Sequence, residues 1–203
     1  TRNKFCALAA AVSLLAGMLP MGAAASGGAS MSIDTDTVIK NQSAQMYGIS
    51  TDYAVNLPYL SYNEETDKIE QSIQFKTAMN EYGFPLVRIG EGASDTFKWK
   101  QAIGPWADRT EQTLWNTTGK IAGGTAEYAE LFSTIDADAQ FTVTLNMETD
   151  TAQDAADLAQ FLTGGADTEW GKKRIDYGFE KPFNVKAYEL GNELDWSGVG
   201  GSE

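Results

Sequence analysis

Carboxylate and amide side chains follow each of four predicted strands, and these are the residues that could do chemistry. They lie in four short segments: Thr51-Asp52-Tyr53, Gly90-Glu91-Gly92, Asn146-Met147-Glu148 and Asn192-Glu193. Two carboxyl groups are enough to cleave a glycosidic bond, one as the acid and the other as the nucleophile or base. Glu193 is the strongest candidate because it follows an apolar strand and Gly-Asn without a break.

The composition excludes most other kinds of catalytic site. The chain has 203 residues, no histidine, one cysteine and a formal net charge of −13. Without histidine there is no Ser-His-Asp or Cys-His nucleophile pair and no imidazole ligand for zinc. One cysteine cannot form an intrachain disulfide or a cysteine-rich metal site. The acidic charge also disfavours binding to nucleic acid. The composition therefore predicts carboxylate chemistry without a metal or a cofactor.

Apolar periodicity predicts strands that alternate with helices, an arrangement that places the candidate residues at one edge of a sheet. The strands are predicted at residues 45–50, 86–89, 141–146 and 185–190, and the helices at 66–82, 125–135 and 151–163. Repeated βα units indicate a parallel sheet with right-handed crossovers. A doubly wound sheet suits the length, but no phosphate-loop glycine pattern follows the first strand. We therefore predict an α/β fold, the truncated N-terminal half of a (β/α)8 TIM barrel, over residues 44–203.

The connections between these elements carry three further predictions. Residues 90–124 are expected to form one long loop, which its tryptophans should keep ordered. Thr125 is the expected N-cap of the second helix, and Thr151 with Asp154 the expected capping box of the third. The third helix is expected to bury a stripe made of Ala152, Ala155, Ala156, Ala159 and Leu162.

The N-terminal segment has the pattern of a secretory signal peptide. Arg2 and Lys4 precede an uncharged run over residues 5–19, and small side chains at Ala23 and Ala25 suit a cleavage site. The run is shorter than the roughly 20 residues that span a bilayer. We therefore predict a signal peptide over residues 1–25, a leader over 26–43, and a secreted bacterial protein without a membrane anchor after cleavage.

Three segments of the chain together have the pattern of a known family. The first runs from Val87-Arg88-Ile89 to Arg109 and includes Trp99 and Gly104-Pro105-Trp106. The second covers residues 141–162, and the third is the run from Asn184 to Asp195 that contains Gly191-Asn192-Glu193. In this order the segments resemble glycoside hydrolase family 51, the α-L-arabinofuranosidases, and the resemblance extends over about residues 45–196.

The resemblance implies a retaining glycosidase on a (β/α)8 barrel. Glu193 would be the general acid/base, and Asn192 would hydrogen-bond the 2-hydroxyl of the sugar. Arg88 and Asn146 would be supporting residues. The nucleophilic glutamate of this clan would follow strand seven, beyond residue 203, and Glu91 or Glu148 is the in-chain alternative.

Two residues depart from the family pattern at the sugar-binding end. Glu91-Gly92-Ala93 stands where the family commonly has Gly-Gly-Asn, and Asp52 stands where it commonly has Glu. We therefore include Asp52 and Glu91 among the substrate-binding candidates, together with Trp99 as an aromatic surface for stacking. Both departures indicate that the sugar could differ from arabinofuranose.

The leading interpretation is a secreted retaining glycosidase that acts on a plant-cell-wall polysaccharide or oligosaccharide. Two alternatives remain open. One is a non-catalytic carbohydrate-binding or surface protein on a degraded barrel, and the other is an inactive truncated product. The sequence carries no indication of an oligomeric state.

Overall fold

The computed structural model describes residues 30–43, 46–55, 59–81 and 86–197. The predicted signal peptide lies outside these residues. The chain divides into two units, residues 1–41 and 42–203. In the first unit, residues 30–41 form neither helix nor strand, and the Asp34 carboxylate accepts hydrogen bonds from the Asp36 amide and the Thr37 hydroxyl. No helix among the described residues is long and apolar enough to cross a membrane.

The second unit is built on a four-stranded parallel sheet. Its strands, in spatial order, are β1 (Gly48–Thr51), β4 (Leu86–Ile89), β7 (Gln140–Leu145) and β8 (Val185–Leu190). They pair in parallel with Ile49, Val87, Phe141 and Val185 in register. All four strands were predicted from apolar periodicity, and the structure confirms them to within a few residues.

Helices follow each of these strands. They are α1 (Ile73–Asn80), α2 (Thr125–Ile135), α3 (Ala152–Thr163), α4 (Glu169–Asp176) and the short α5 (Leu194–Ser197). Alternate residues of β4 and β7, such as Val87, Ile89 and Val143, are buried in one core with the apolar side chains of α2 and α3. The opposite face of the sheet is polar and carries Arg88 and Thr142 in register. The fold is therefore α/β, as predicted.

The predicted helix over residues 66–82 is wrong in its first part. Residues 60–71 form an antiparallel hairpin of β2 (Leu60–Asn63) and β3 (Lys68–Gln71), and the helix begins only at Ile73. Side-chain burial alternates along β3, where Ile69 and Gln71 are half-buried, and pairing with β2 satisfies the backbone groups of this strand. A short alternating run of this kind fits either period until a partner strand is present.

The predicted loop over residues 90–124 is more structured than expected. It contains three short 3₁₀ helices, at Gly92–Asp95, Trp99–Ala102 and Trp106–Asp108, and a hairpin of β5 (Gln112–Leu114) and β6 (Thr117–Gly119). The segment is therefore ordered, as its tryptophans indicated.

Of the two predicted helix N-caps, one is confirmed and the other lies one residue earlier than predicted. Thr151 and Asp154 form the predicted capping box of α3. The N-cap of α2 is Gly124 instead of Thr125, whose hydroxyl is hydrogen-bonded to the Tyr53 hydroxyl at 2.8 Å. The face of α3 that packs inward consists of Leu158, Phe161 and Leu162, while Ala152 and Ala156 are exposed. The larger side chains bury more apolar surface, and they set the orientation of the helix.

Candidate active site

The predicted site residues lie at the carboxyl ends of the parallel strands. Asp52 follows β1, Glu91 follows β4, Asn146 follows β7, and Asn192 with Glu193 follows β8. In α/β barrels the active site is built at this end of the sheet.

Arg88 is the centre of a polar network that joins three strands. Its Nε donates to Glu189 Oε2 at 2.6 Å, and its Nη2 donates to Asn192 Oδ1 at 2.9 Å. Glu189 Oε2 also accepts from the Thr144 hydroxyl at 2.8 Å. Since the guanidinium occupies Oδ1 of Asn192, Nδ2 is the group of that side chain that can donate to a ligand hydroxyl. Arg88 and Asn192 are thus brought together as the sequence indicated, whereas Glu189 and Thr144 were missed.

The turn after β8 has an unusual backbone. Gly191 has φ +75°, and Glu193 has φ +50°, a left-handed conformation that residues with a Cβ rarely adopt. Glu193 is exposed, and the amide of the preceding Asn192 donates to Asp95 Oδ2 at 3.0 Å. The proposed acid/base is therefore solvent-accessible on a constrained turn.

Asp52 lies at the end of β1 with its carboxylate turned toward the loop after β4. Burial raises the pKa of Asp52, while hydrogen bonds to its Oδ1 from the amides of Tyr53 at 2.8 Å and Ala93 at 3.2 Å oppose the rise. The nearby charge of Glu91, which is partly exposed, adds to the increase in pKa. Asp52 and Glu91 are thus neighbours, as predicted.

Trp115 is a further site residue, which sequence reasoning left unassigned. It lies in the turn between β5 and β6, is 65% exposed and has φ +54°. Its side chain is close enough to Asp52 to oppose the rise in the pKa of that carboxyl, and a Cβ added to Gly92 would lie 2.5 Å from the indole ring. An exposed indole beside a carboxylate presents an aromatic face and hydrogen-bond acceptors to solvent, and stacking on a sugar ring requires such a face. The loop length was a signal, but it did not single out this tryptophan.

The expectation that Trp99 stacks on substrate is wrong. Trp99 is 3% exposed, lies edge-on to Trp170 at a centroid distance of 4.9 Å, and donates from Nε1 to the Asp154 carbonyl at 3.1 Å. Its large apolar surface is used to pack the third helix against the loop after β4. Tyr53 is also buried, stacked on Phe97.

Asn146 is occupied by the loop that follows β7. Its Oδ1 accepts from the amide of Thr149 at 2.8 Å, and its Nδ2 donates to the Phe97 carbonyl at 3.1 Å and the Thr149 hydroxyl at 2.8 Å. Asparagine at a turn commonly bonds the backbone in this way. The structure therefore gives Asn146 a role in shaping the site, and its amide is committed to protein groups instead of substrate.

Among the described residues no group of three or more His, Cys, Asp and Glu side chains could hold a metal ion. The arrangement is a set of exposed or half-buried carboxylates, one amide donor and one exposed indole. Such groups can bind hydroxyls, stack on a ring and transfer a proton.

Comparison with known proteins gives the family. Residues 86–200 match the model of the alpha-L-arabinofuranosidase 1 domain, which covers more than half of the chain. The chain therefore belongs to the family defined by this alpha-L-arabinofuranosidase 1 domain. The resemblance found in the sequence is thereby confirmed.

Individual relatives agree with this assignment. An intracellular exo-alpha-(1->5)-L-arabinofuranosidase of Halalkalibacterium halodurans is 29% identical over 121 residues, which are 58% of this chain and 24% of that protein. Alpha-L-arabinofuranosidase 1 of Arabidopsis thaliana is 30% identical over 116 residues, 51% of this chain and 17% of that protein. The crystal structure of the α-L-arabinofuranosidase from Thermotoga maritima superposes with TM-score 0.63 at 25% identity, over 73% of this chain and 32% of that one. The chain thus spans a third or less of these relatives.

The names of the relatives contradict the predicted secretion. Four of them, from Halalkalibacterium, Acetivibrio, Streptomyces and Bacillus, are named intracellular enzymes. The prediction depended on residues 1–25 alone, and a cysteine-free α/β domain requires no oxidising compartment. The remainder of the chain therefore offered no independent support for secretion.

Proposed function

We propose that this chain supplies the acid/base half of the active site of a retaining glycosidase that releases α-L-arabinofuranosyl units. Residues 44–203 would form the first four βα units of a (β/α)8 barrel. The parallel order β1-β4-β7-β8 and the unit boundary at residue 42 support this assignment. The observation that carries the proposal is the position of Glu193. It is exposed after the end of β8, next to Asn192, whose side-chain amide Arg88 orients.

In the proposed reaction Glu193 acts twice. A carboxylate supplied by sequence outside the described residues attacks the anomeric carbon as the bond to the leaving oxygen breaks, and Glu193 gives its proton to that oxygen. Glu193 then takes a proton from water, which displaces the enzyme carboxylate and completes hydrolysis with retention. Asn192 donates from Nδ2 to the sugar 2-hydroxyl. This mechanism needs the two carboxyl groups about 5 to 5.5 Å apart.

The substrate would be an arabinofuranosyl unit of a plant-cell-wall polysaccharide or oligosaccharide. Trp115 would cover one face of the sugar, and Asp52 and Glu91 would bind its hydroxyls. Ala93 is 2% exposed, so the position where the family commonly has asparagine offers no group to a ligand here. The sugar subsite would therefore lack the amide of that asparagine and would depend on Asp52 at the neighbouring strand end.

The test compares Glu193→Gln with wild-type full-length protein on arabinofuranosides of different leaving groups. A poor leaving group needs protonation, so kcat/KM of Glu193→Gln on such a substrate should fall roughly 10³-fold. On a substrate with an activated dinitrophenyl leaving group, kcat/KM should fall far less. Glu180→Gln, an exposed glutamate before β8, is the matched control and should retain wild-type kinetics. Unchanged turnover of the poor substrate by Glu193→Gln would refute the acid/base role.

The altered residues Ala93 and Asp52 favour one alternative, a barrel that binds glycans without cleaving them. Isothermal titration with arabino-oligosaccharides separates the two. Binding without release of arabinose by the wild-type protein would favour the alternative, and any turnover that depends on Glu193 excludes it.

A further inference from the structure

Asp95 lies where the loops after three neighbouring strands meet. It ends the 3₁₀ helix after β4 and is 4% exposed. Its Oδ2 accepts from the Asn192 amide, in the turn after β8, at 3.0 Å. Its carbonyl accepts from the hydroxyl of Thr149, in the loop after β7, at 3.4 Å. One buried residue thus connects the ends of β4, β7 and β8.

The turn that Asp95 contacts requires an external constraint. A left-handed conformation is unfavourable for a residue with a Cβ, and it persists only where surrounding contacts hold it. Glu193 adopts this conformation. Arg88 hydrogen-bonds the side chain of Asn192, whereas Asp95 accepts a hydrogen bond from the backbone amide of Asn192. Asp95 therefore acts on the main chain immediately before Glu193.

Asp95 also lies against the glycine of the Gly-Asn-Glu run. A Cβ at Gly191 would lie 2.9 Å from Asp95 Oδ1 and would overlap the side chain of Leu194. Among the described residues no donor reaches Oδ1, although this oxygen is buried. A buried carboxylate oxygen without a donor is costly, and stability alone does not explain it. The carboxylate instead fills the space against the turn.

We propose that Asp95 is a positioning residue, which holds the Asn192–Glu193 turn so that the Glu193 carboxyl meets the glycosidic oxygen. The proposal rests on the function proposed for Glu193. The constraint on the turn is nevertheless a property of the fold and can be measured without substrate.

The kinetic test uses Asp95→Ala and Asp95→Asn in the full-length protein. Alanine removes the acceptor, so kcat/KM on a poor-leaving-group arabinofuranoside should fall roughly 30-fold, with a loss below about fivefold on a dinitrophenyl arabinofuranoside. Asparagine keeps an acceptor oxygen of the same reach and should restore both values to within about threefold of wild type. Asp108→Ala, at an exposed aspartate of the same loop, should match wild type.

If Asp95 only stabilised the fold, its replacement would lower kcat/KM for both substrates by the same factor, which the fraction of folded enzyme would set. Equal losses on both substrates would therefore overturn the proposal. Amide hydrogen exchange supplies a readout that is independent of catalysis. The Asn192 amide should exchange at least tenfold faster in Asp95→Ala than in wild type and Asp95→Asn, while core amides of β7 remain protected.

An unchanged exchange rate at Asn192 would also refute the positioning role. If the wild-type protein cleaves no arabinofuranoside, the proposed function fails, and the exchange rates still decide whether Asp95 holds the turn.

Discussion

Arg88 and Glu189 are 101 positions apart in the chain, yet their side chains form an ion pair at 2.6 Å on the polar face of the sheet. The pair commits Glu189 to Arg88, and Thr144 holds the same carboxylate oxygen. Arg88 can then present a fixed guanidinium to Asn192. At the scale of single residues, the site is thus a chain of contacts in which each polar group orients the next.

Trp115 supports a prediction about substrate binding. Because its indole is exposed and its backbone is held by the tight turn between β5 and β6, we expect it to bind the sugar without stabilising the fold. Trp115→Ala should raise KM roughly tenfold, equivalent to ~1.4 kcal/mol, with kcat changed less than about threefold. Steady-state kinetics on an aryl arabinofuranoside measures both.

Trp115→Phe is the control for that experiment, since phenylalanine keeps an aromatic face and should recover most of the affinity. An unchanged KM in Trp115→Ala would exclude stacking at this position.

At the scale of elements, a buried ion pair connects the loop that carries Trp115 to helix α2. Arg109 donates to the carbonyls of Gly104 at 3.1 Å and Ile121 at 2.8 Å, and it forms an ion pair with Glu127 of α2. Burial raises the pKa of Glu127, and the adjacent guanidinium opposes that rise. Removal of either partner would leave an uncompensated buried group. The buried Arg109 side chain therefore anchors the long loop to α2.

The start of α3 supports a prediction about stability and pH. Hydrogen bonds from Lys100 and Thr151 hold the pKa of Asp154 well below its usual value. A carboxylate whose pKa is lowered by folding stabilises the protein above its unfolded pKa, near 3.9, and this contribution is lost as the pH falls through the folded value. Asp154→Asn should therefore lower the free energy of unfolding by about 1 kcal/mol at pH 7. The difference should shrink below about pH 4.

Urea unfolding followed by circular dichroism between pH 3 and 7 measures this difference. Asp167→Asn, at an exposed aspartate before α4, is the control and should leave the unfolding free energy unchanged. A destabilisation of Asp154→Asn that stayed constant from pH 3 to pH 7 would mean that the charge of Asp154 plays no part.

At the scale of the whole molecule, β1 and β8 are the two edges of the parallel sheet. Leu190 on β8 is 66% exposed, whereas Leu145, its neighbour in register on β7, is buried. Parallel sheets are normally covered on both faces, and an open apolar edge promotes association. We expect the 203-residue chain expressed by itself to self-associate at micromolar concentration. Analytical ultracentrifugation would measure this.

Leu190→Lys places a charge on that edge and should shift the chain toward monomer. A wild-type chain that sediments as a monomer and unfolds in one cooperative thermal transition would contradict the expectation.

Local patterns in the sequence were sufficient to predict much of the fold. Strands β4, β7 and β8 are short runs in which apolar residues recur, and the capping box of α3 is a contact between residues three positions apart. Such features depend on neighbours in the chain. The hairpin of β2 and β3 was missed because its pattern fits two periods, and only pairing between strands selects one of them.

The sequence by itself determined the parallel α/β architecture and the family, and it marked Glu193 and Asn192 as the residues to test. These conclusions rest on runs of adjacent residues, whose pattern survives without knowledge of the fold. Only the tertiary structure decided that Trp99 is buried while Trp115 is exposed, that Asn146 is committed to a turn, and that Asp95 meets Asn192. Those outcomes depend on strand register and on contacts across about 50 to 100 residues, which residue type and spacing do not specify.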